Sequence, residues 1–438
     1  MNEPTLIQRD LQHIWHPCSQ MKDFEQAPPF LIQRAKGSYL YTDKGPIIDA
    51  ISSWWCKSLG HGHPAVTGAI KAQLERFEHV ITANTTHPLI VELAEALHEI
   101  SGKQHVFFAS DGSSAVEIAM KLAIQSAQLK GHANRHQFIA LKHGYHGETL
   151  GALSVSDLGR FKKPFESFGV ECHFLQQIPY VNHQNDPVWN ACEWSLTLAE
   201  LESIKANVCA IIVEPIVQGA GGMRCYSADF LRQLAAWAKT NGIYFIADEI
   251  MTGMGRTGKW LASEHAGIDP DMICLSKGLT SGSLPLSCVL IDHDIYKLFY
   301  DDASSGKSFL HSHTYSGNPL AVSAALATIH TMRTEGINPQ AEALGACMRR
   351  YFSDIATQTG RLLNVRSIGA WVAGDLTEHD NPRVGHLIAN AALSRGALLR
   401  PIGNTLYWLP PLNTEHHTIE ALADITLSSI RAVYRYET

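Results

Sequence analysis

Short apolar runs alternate with helical segments through the middle of this 438-residue chain, and this alternation constrains the fold more than any other feature. A continuous apolar strand is buried on both faces, which occurs when helices cover both sides of a mainly parallel sheet. The sequence therefore predicts an α/β fold whose functional side chains lie beyond the carboxyl ends of the strands. Strands are predicted at residues 105–110, 136–143, 208–216, 243–250, 272–277 and 286–292, with helices at 114–130 and 228–240.

The two ends of the chain show a different, α+β pattern. Residues 1–55 read as a helix and short strands, with a turn at residues 43–45 joining two β-like runs into a small antiparallel unit. Because 438 residues exceed what one core usually organises, we expect a large domain over 56–328 and a small lobe that combines 1–55 with 329–438. The carboxyl-terminal pattern consists of a helix at 318–334, strand candidates at 365–376, 396–402 and 404–411, and a terminal helix at 417–436.

Charge and composition exclude several classes of partner. A formal net charge of -7 with no lysine or arginine run removes the attraction that a nucleic acid or an anionic membrane requires. No stretch reaches the about 18 apolar residues of a membrane span, and no basic segment precedes an apolar one at the amino terminus, so we expect a cytoplasmic protein with small-molecule partners. Nine scattered cysteines without a C-x-x-C pair predict reduced thiols. The 23 histidines lack metal-binding spacing, so no metal site is expected.

Two polar residues end consecutive predicted strands. Asp248 closes one, and Lys277, followed by Gly278, closes the next, so both should lie at one edge of the sheet. A lysine whose pKa is lowered by burial can form an imine with an aldehyde cofactor, and the glycine would let a ligand approach. A buried aspartate can hold the proton of a cofactor ring nitrogen. Each residue alone would be interpreted as a solvated strand end or a cap, and only the pair indicates chemistry.

Two glycine-containing segments add further candidates. In residues 110–121 a glycine and serines precede a strongly helical run, so Gly112 and Ser113 could hold an anion on free backbone N–H groups. The alternative is a helix cap formed by Ser113 or Ser114. In residues 142–149 Tyr145 follows another strand, where its ring could stack on a planar cofactor or simply pack in the core.

Another class of enzyme stays open at this stage. Gly253, Gly255 and Gly258 match the G-x-G-x-x-G pattern of dinucleotide-binding oxidoreductases. However, four residues (249–252) separate Asp248 at the strand end from the first glycine and no clear helix follows, whereas a dinucleotide fingerprint joins a strand directly to a long helix. A protein that has this fold without catalysis is a further alternative, which retention of both Lys277 and Asp248 disfavours.

Three motifs together resemble one family, the class III aminotransferases. They are DEIMTGMGRTGK at 248–259, SKG at 276–278 and HTYSGNPLA at 313–321. The resemblance implies a pyridoxal 5'-phosphate (PLP) transferase of fold type I, with a seven-stranded, mainly parallel sheet between helices and a small α+β lobe. It also implies the cofactor-binding set: Gly112 and Ser113 at the phosphate, Tyr145 on the ring, Asp248 at its nitrogen, Lys277 as the imine lysine, and Thr314 reaching the phosphate of the partner subunit in a homodimer.

Within that family the chain resembles the members that act in biotin synthesis. The resemblance rests on ISSWWC at 51–56, IVEPIVQGAGGMR at 212–224 and LLRPIGNTLYWLPP at 398–411, together with HIWHP, GHGHP and GYHG. It implies 8-amino-7-oxononanoate as substrate and S-adenosyl-L-methionine as amino donor. The implied substrate-binding residues are Trp54, Tyr145, Lys277, Ser312, Arg400 and Cys18.

Individual residues in these motifs bear on specificity. Arg400, on a predicted strand, could bind a substrate carboxylate in a two-pronged geometry, as the family does, or form an ordinary ion pair. Many class III members have a glutamate where this chain has Ala220, which disfavours ornithine-like or aminobutyrate-like specificity. The biotin enzymes usually have a tyrosine where this chain has Cys18, so lysine stays open as an alternative donor. The role of Arg256 also stays open between a structural and a functional contact.

Overall fold

The computed structural model describes residues 4–434 as a set of layered sheets and helices. The strands are β1 Ile32–Lys36, β2 Tyr39–Thr42, β3 Gly45–Asp49, β4 His105–Ala109, β5 Gln137–Leu141, β6 Cys172–Leu175, β7 Tyr180–Val181, β8 Val208–Val213, β9 Val217–Gln218, β10 Arg224–Tyr226, β11 Tyr244–Asp248, β12 Met272–Leu275, β13 Ser287–Ile291, β14 Leu362–Arg366, β15 Val372–Leu376, β16 Ala397–Leu398 and β17 Thr405–Trp408. The helices are α1 Leu6–His13, α2 Ser52–Trp55, α3 Pro64–Leu74, α4 Pro88–Ser101, α5 Gly112–Leu129, α6 Leu150–Ser154, α7 Gly159–Lys162, α8 Ser195–Ile204, α9 Ala228–Thr240, α10 His293–Phe299, α11 Pro319–Thr334, α12 Ile337–Thr359, α13 Val384–Leu393 and α14 His416–Tyr434.

The central sheet has seven strands in the order β4-β13-β12-β11-β8-β5-β6. Strands β12, β11, β8, β5 and β6 are mutually parallel, whereas β13 runs antiparallel to both β12 and β4. The six predicted apolar strands and the mainly parallel sheet are confirmed. The seventh strand, β6, was not predicted, because its four residues include His173 and give little apolar signal.

Both faces of this sheet are covered, as the continuous apolar strands predict. In β8, Ile211 and Val213 pack on the α9 side with Leu234, while Ile212 packs on the α5 side with Ala119. Successive side chains of a strand point to opposite faces, so a strand covered on both sides is apolar throughout. Burying each such isoleucine or valine stabilises the fold by about 1.5–3 kcal/mol relative to exposure.

Helix α5 begins directly after the edge strand β4 and runs along the sheet. Its buried alanines recur every four residues, at Ala115, Ala119, Ala123 and Ala127, so the backbone of this helix lies close to the strands. The cap is Asp111, whose carboxylate accepts the backbone N–H of Ser114 at 3.0 Å. The alternative of a cap formed by Ser113 or Ser114 is therefore wrong, because the aspartate one residue before the helix occupies that position.

Two smaller sheets contain the terminal segments. The predicted hairpin at residues 43–45 is confirmed, since β2 and β3 pair antiparallel there, and β16 joins β3 in parallel. The candidate strand at 365–376 is wrong as one strand, because residues 367–371 interrupt it and β14 and β15 pair antiparallel on either side. The candidate at 396–402 is reduced to β16, and the last two residues of the predicted terminal helix, 435–436, lie outside the described residues.

The predicted domain limits stay a proposal, with one change. The expected boundary at residue 328 falls inside α11, and a continuous helix is a poor place for a division. We propose instead that the small lobe begins at Gly336, which separates α11 from α12 with a φ of 62°. Within residues 4–434 no helix combines the length and apolar character needed to cross a membrane. All nine cysteines carry free thiols.

Candidate active site

A cavity of about 430 Å³ opens at the carboxyl ends of the central strands. Glu214 follows β8, Asp248 ends β11 and Lys277 lies two residues beyond β12, so three neighbouring strands deliver three ionisable groups to one edge. This size is typical of a small-molecule site. Further lining comes from α2, from the first turn of α5, from the loops around residues 145 and 220 and from the segments around residues 18 and 400, including Trp54, Trp55, Gly112, Ser113, Tyr145, His146, Ala220 and Arg400.

Asp248 is held rigidly at the base of the cavity. The residue is 3% exposed, and one carboxylate oxygen is 2.7 Å from Nδ1 of His146, which is 2% exposed. The other oxygen accepts the backbone N–H of Ile250 at 3.1 Å. The opposite ring nitrogen of His146, Nε2, has no hydrogen-bond partner among the described residues. This pair holds a buried carboxylate where it faces the cavity.

Lys277 brings a reactive amine to the same cavity. Burial lowers the pKa of this amine below its usual value, and the negative charges of Asp248 and Glu214 oppose part of that effect. Its Nζ lies 4.7 Å from the centre of the Trp55 ring. The backbone of Lys277 has a φ of 41°, an uncommon value for a non-glycine residue and one that clusters at functional sites.

Gly278, which follows Lys277, packs against neighbouring loops and does not face the cavity, where it was expected to let a ligand approach. Gly278 does not line the cavity. A Cβ atom there would lie 2.7 Å from Oγ of Ser58 and 3.2 Å from Cβ of Met254. The prediction that Gly278 lets a ligand approach is therefore wrong, because two side chains of neighbouring loops occupy that space.

Glu214 is a second buried acid in the cavity, and it was not predicted from the sequence. It is 5% exposed, and its two carboxylate oxygens accept the backbone N–H groups of Tyr145 at 3.0 Å and of Gly219 at 2.9 Å. Burial raises the pKa of this carboxyl group to about 7; His146 and the two N–H donors oppose the rise, and the charge of Asp248 adds to it. Glu214 thus joins the loop that carries Tyr145 to the loop that carries Ala220.

The first turn of α5 forms one wall of the cavity. Gly112 and Ser113 both line it, and an α-helix leaves its first N–H groups without partners inside the helix. A Cβ atom at Gly112 would come within 3.0 Å of Ile250. The hydroxyl of Ser113 accepts the backbone N–H of Glu148 at 3.2 Å, which joins this turn to the Tyr145 loop. This wall is suited to an anionic group.

The wall of the cavity that contains Trp54 and Arg400 is solvent-exposed and has few hydrogen bonds to the rest of the chain. Arg400 lies over the ring of Trp54 at 4.5 Å and donates to the backbone oxygen of Cys18 at 3.2 Å. The hydroxyl of Tyr145 donates to Glu148 at 3.0 Å. Trp54 is 42% exposed, and Cys18 is exposed as well. The prediction that Arg400 lies on a strand is wrong, because β16 ends two residues earlier and the chain then turns into the cavity wall.

The tandem tryptophans reach the cavity through an unusual turn. Helix α2 is a single left-handed turn in which Trp54 and Trp55 both have a φ of 72°. Such a conformation costs about 1–2 kcal/mol per residue for a non-glycine residue, so other contacts must hold it. Ser52 Oγ donates to the oxygen of Leu409 at 2.7 Å, and Trp55 Nε1 donates to the hydroxyl of Tyr407 at 3.0 Å. Both contacts come from the carboxyl-terminal part of the chain.

Two predicted site residues lie elsewhere. Ser312 and Thr314 are exposed and do not line this cavity. Thr314 was expected to act in a partner subunit, so its position outside the cavity of its own chain leaves that role a prediction. The role of Ser312 also stays a prediction. Within residues 4–434 no group of three histidine, cysteine or acidic side chains is arranged to hold a metal ion.

The glycines of the possible dinucleotide motif lie in a series of turns and not at the start of a long helix. Residues 250–261 form successive turns after β11. Between β11 and β12 the single helical segment is a short 3-10 helix at Ala262–His265. No long helix therefore opens at Gly258, as a dinucleotide site requires. Arg256 is buried, and its guanidinium donates to the oxygens of Ala370 and Pro410 at 2.7 and 2.8 Å, which makes its contact structural.

Comparison with known proteins identifies the family. Residues 21–430 match the family model described as aminotransferase class-III. This chain belongs to the class III aminotransferases. Its relatives include adenosylmethionine-8-amino-7-oxononanoate aminotransferases from Helicobacter pylori, 35% identical with 95% of this chain and 96% of that protein covered, and from Synechococcus elongatus, 39% identical with 91% and 94% covered.

Solved structures agree with this assignment. The crystal structure of adenosylmethionine-8-amino-7-oxononanoate aminotransferase from Methanocaldococcus jannaschii has a TM-score of 0.90 at 31% identity, with 98% of each chain covered. A PLP-bound amine transaminase from an uncultivated Pseudomonas species has a TM-score of 0.87 at 30% identity, with 97% of this chain and 98% of that chain covered. The predicted fold type and small lobe are confirmed.

Class III aminotransferases depend on PLP, and the cavity of this aminotransferase fits that cofactor. Lys277 offers an amine of lowered pKa for its aldehyde, and Asp248 offers a buried carboxylate for its ring nitrogen. The first turn of α5 offers N–H groups for its phosphate. The site residues Lys277, Asp248, Tyr145, Gly112 and Ser113 therefore converge on one cavity, as the sequence predicts, although their individual roles stay proposals.

His146, Glu214 and Trp55 were missed as site residues. Each lies inside a motif that carries the family resemblance: GYHG, IVEPIVQGAGG and the tandem tryptophans. The signal was therefore present, but only Tyr145 and Trp54 were selected from these motifs. A histidine one residue after Tyr145, between two glycines of a tight loop, could have been considered as the partner of Asp248.

Proposed function

We propose that this aminotransferase transfers an amino group to 8-amino-7-oxononanoate, giving 7,8-diaminononanoate for biotin synthesis, with S-adenosyl-L-methionine as amino donor. The observation that carries the proposal is the position of Arg400, whose guanidinium covers Trp54 at the cavity wall and has one donor on Cys18. Its remaining donors are available for the carboxylate of a long keto acid. The names of the Helicobacter and Synechococcus relatives support the same substrate and donor.

The residues of this chain divide the work of catalysis. When bound, PLP supplies an aldehyde that takes up amino groups and a protonated ring that withdraws electrons from the carbon next to them. Lys277 would hold the cofactor and, once free, move a proton at Nζ as general base and then general acid, which its lowered pKa favours. Asp248 would keep the ring nitrogen protonated, and His146 would orient Asp248 through the 2.7 Å contact.

The substrate side of the cavity would select the reactants. Tyr145 would cover the cofactor ring, with its loop held in place by Glu214. Trp54 and Arg400 would receive the apolar chain and the carboxylate of the acceptor, and Cys18 would contact the donor. We also propose a homodimer in which Thr314 and Ser312, both exposed in the single chain, complete the site of the partner subunit.

The proposal is tested by the two half-reactions, measured separately. PLP-loaded protein is mixed with S-adenosyl-L-methionine, lysine or ornithine, and conversion to the pyridoxamine form is followed by absorbance. We expect rapid conversion with S-adenosyl-L-methionine and reversal on adding 8-amino-7-oxononanoate. Conversion by another donor with no reversal by 8-amino-7-oxononanoate would refute the assignment, while the membership in class III would stand.

A second candidate is a class III enzyme that uses lysine or a different ω-amine. Two observations favour it: the similarity to the Pseudomonas amine transaminase at 30% identity, and the thiol of Cys18 where the biotin enzymes usually have a tyrosine. The same donor comparison separates the candidates, because the amine that converts the cofactor fastest at equal concentration identifies the donor.

A further inference from the structure

A second cavity, of about 540 Å³, lies between α12 and loops around residues 183, 257 and 368. It shares no lining residue with the first cavity. Its walls come from both parts of the chain: Thr257 belongs to the turns after β11, whereas Arg349 and Arg350 belong to α12. The proposed aminotransferase reaction does not use any of these residues.

Two guanidinium groups give this cavity a positive wall. Both Arg349 and Arg350 line it, and within residues 4–434 neither forms an ion pair with a carboxylate. The guanidinium of Arg350 lies 5.3 Å from the ring centre of Tyr351. Guanidinium groups bind carboxylates and phosphates with two parallel hydrogen bonds, so two of them that line one cavity without a carboxylate partner favour an anion there.

Two neutral side chains add hydrogen-bond donors. Thr257 is only 1% exposed, and within the described residues its hydroxyl has no hydrogen-bond partner. Buried hydroxyl groups are normally bonded, so the hydroxyl of Thr257 is a candidate donor to a ligand in the cavity that this residue lines. Nδ1 of His183 accepts the backbone N–H of Asn185 at 3.3 Å, so the neutral ring carries its proton on Nε2 and can donate it.

The charges that face the cavity sum to a positive value. Glu342 is the single carboxylate among the described lining residues, and it is exposed. Its carbon chain packs over Gly258, where a Cβ atom would come within 2.6 Å of Cγ. Burial and the nearby charge of Arg349 lower the pKa of His183, as expected where the local potential is positive.

We propose that this second cavity binds a small oxyanion, a carboxylate or a phosphate group, held by Arg349 and Arg350 and by hydrogen bonds from Thr257 and His183. The ligand would touch the chain next to Arg256, whose guanidinium ties the turns after β11 to Ala370 and Pro410. It would therefore join α12 to the large-domain turns at a place where the two already meet.

The test is calorimetric titration of the PLP-loaded protein, in buffer free of phosphate, with inorganic phosphate, glycerol 3-phosphate and succinate. Loading with PLP occupies the cofactor end of the first cavity but leaves Arg400 available to an anion, so each titration is repeated with Arg400→Gln, and saturable heat that persists in that variant reports another site. We expect at least one probe to bind. Binding of both phosphates without succinate assigns a phosphate site, and binding of succinate assigns a carboxylate site.

Variants locate the binding. Arg349→Gln with Arg350→Gln should weaken it by about tenfold or more, and Thr257→Val, which keeps the side-chain shape, should weaken it to a smaller extent. Arg431→Gln is the matched control: it removes an exposed guanidinium whose contact is Gln358, and binding should be unchanged. Cofactor absorbance and thermal midpoint verify folding. Absence of saturable binding by every probe, or binding that Thr257→Val and the double variant leave intact, would overturn the proposal.

Discussion

The two walls of the first cavity differ in how firmly their side chains are held. On the sheet side, Asp248, His146 and Glu214 are each at most 5% exposed, and each carboxylate oxygen has a partner at 3.1 Å or less. On the outer side, Trp54 is 42% exposed and Arg400 has a single 3.2 Å bond to the chain. Chemistry shared by a family requires the rigid wall, whereas substrate selection can change in the loose one.

The first prediction tests the rigid wall at its reactive amine. Lys277→Ala should reduce turnover by about 10⁴-fold, because the group that moves the proton is lost. Steady-state rates, together with borohydride trapping and mass spectrometry of the wild type, check this. The matched control is Lys57→Ala, a nearby partly buried lysine bonded to the oxygen of Gly282, which should keep its activity. Label on any lysine other than Lys277 would contradict the assignment.

A smaller effect is expected at the carboxylate. Asp248→Asn keeps the shape but leaves His146 without its anionic partner and the ring nitrogen without a counter-charge. We expect PLP affinity to fall by roughly 100-fold, about 3 kcal/mol, as when a buried ion pair loses one member. Dialysis followed by absorbance measures retention. Asp294→Asn, at an exposed helix position, is the control. Unchanged retention in the Asp248 variant would show that this wall does not hold the cofactor.

Glu214 allows the rigidity to be tested through pH. The pKa of Glu214 is raised to about 7 in the folded protein, above its ordinary value near 4.5, so the stability this group contributes is present below pH 4.5 and lost as pH rises through 7. Glu214→Gln cannot ionise. The free energy of unfolding of the variant relative to the wild type should therefore rise by about 3 kcal/mol between pH 5 and pH 9. Denaturant unfolding at several pH values measures the difference, and a pH-independent difference would contradict it.

The loose wall should respond in substrate affinity rather than in rate. Arg400→Gln removes the charge that would bind the acceptor carboxylate, so KM for carboxylate substrates should rise about 10- to 100-fold with kcat little changed. An amine donor without a carboxylate is the internal control and should be unaffected. An equal loss with both kinds of substrate would mean that Arg400 supports the wall and does not bind a carboxylate.

The smallest effect is expected at Cys18. Cys18→Tyr introduces the hydroxyl usual in the biotin enzymes, and should shift the ratio of kcat/KM for S-adenosyl-L-methionine over lysine by about fivefold, the value of one hydrogen bond. Cys18→Ser, close to the original in size, should leave the ratio nearly unchanged. If Cys18→Tyr changed this ratio by a larger factor than Arg400→Gln changes KM, substrate selection would not depend mainly on the guanidinium of Arg400.

Much of this site could be predicted because its signals are local. The strands before Asp248 and Lys277 are continuous apolar runs, and the glycine and serines at 112–114 precede a strongly helical run. Burial on both faces and helix propensity depend on neighbours in the chain, so these elements could be read directly. Strand β6 and the break between β14 and β15 could not, because a short strand is decided by its partners across the sheet.

The sequence by itself determined the α/β class, the apolar strands and the polar residues at their ends, since hydrophobic periodicity and turn chemistry act over a few residues. Only the tertiary structure decided which polar atoms meet. His146 binds Asp248 across 102 positions, Trp55 binds Tyr407 across 352, and Arg400 binds Cys18 across 382. Contacts at such separations depend on how the sheets and loops pack, and no local pattern of residues encodes them.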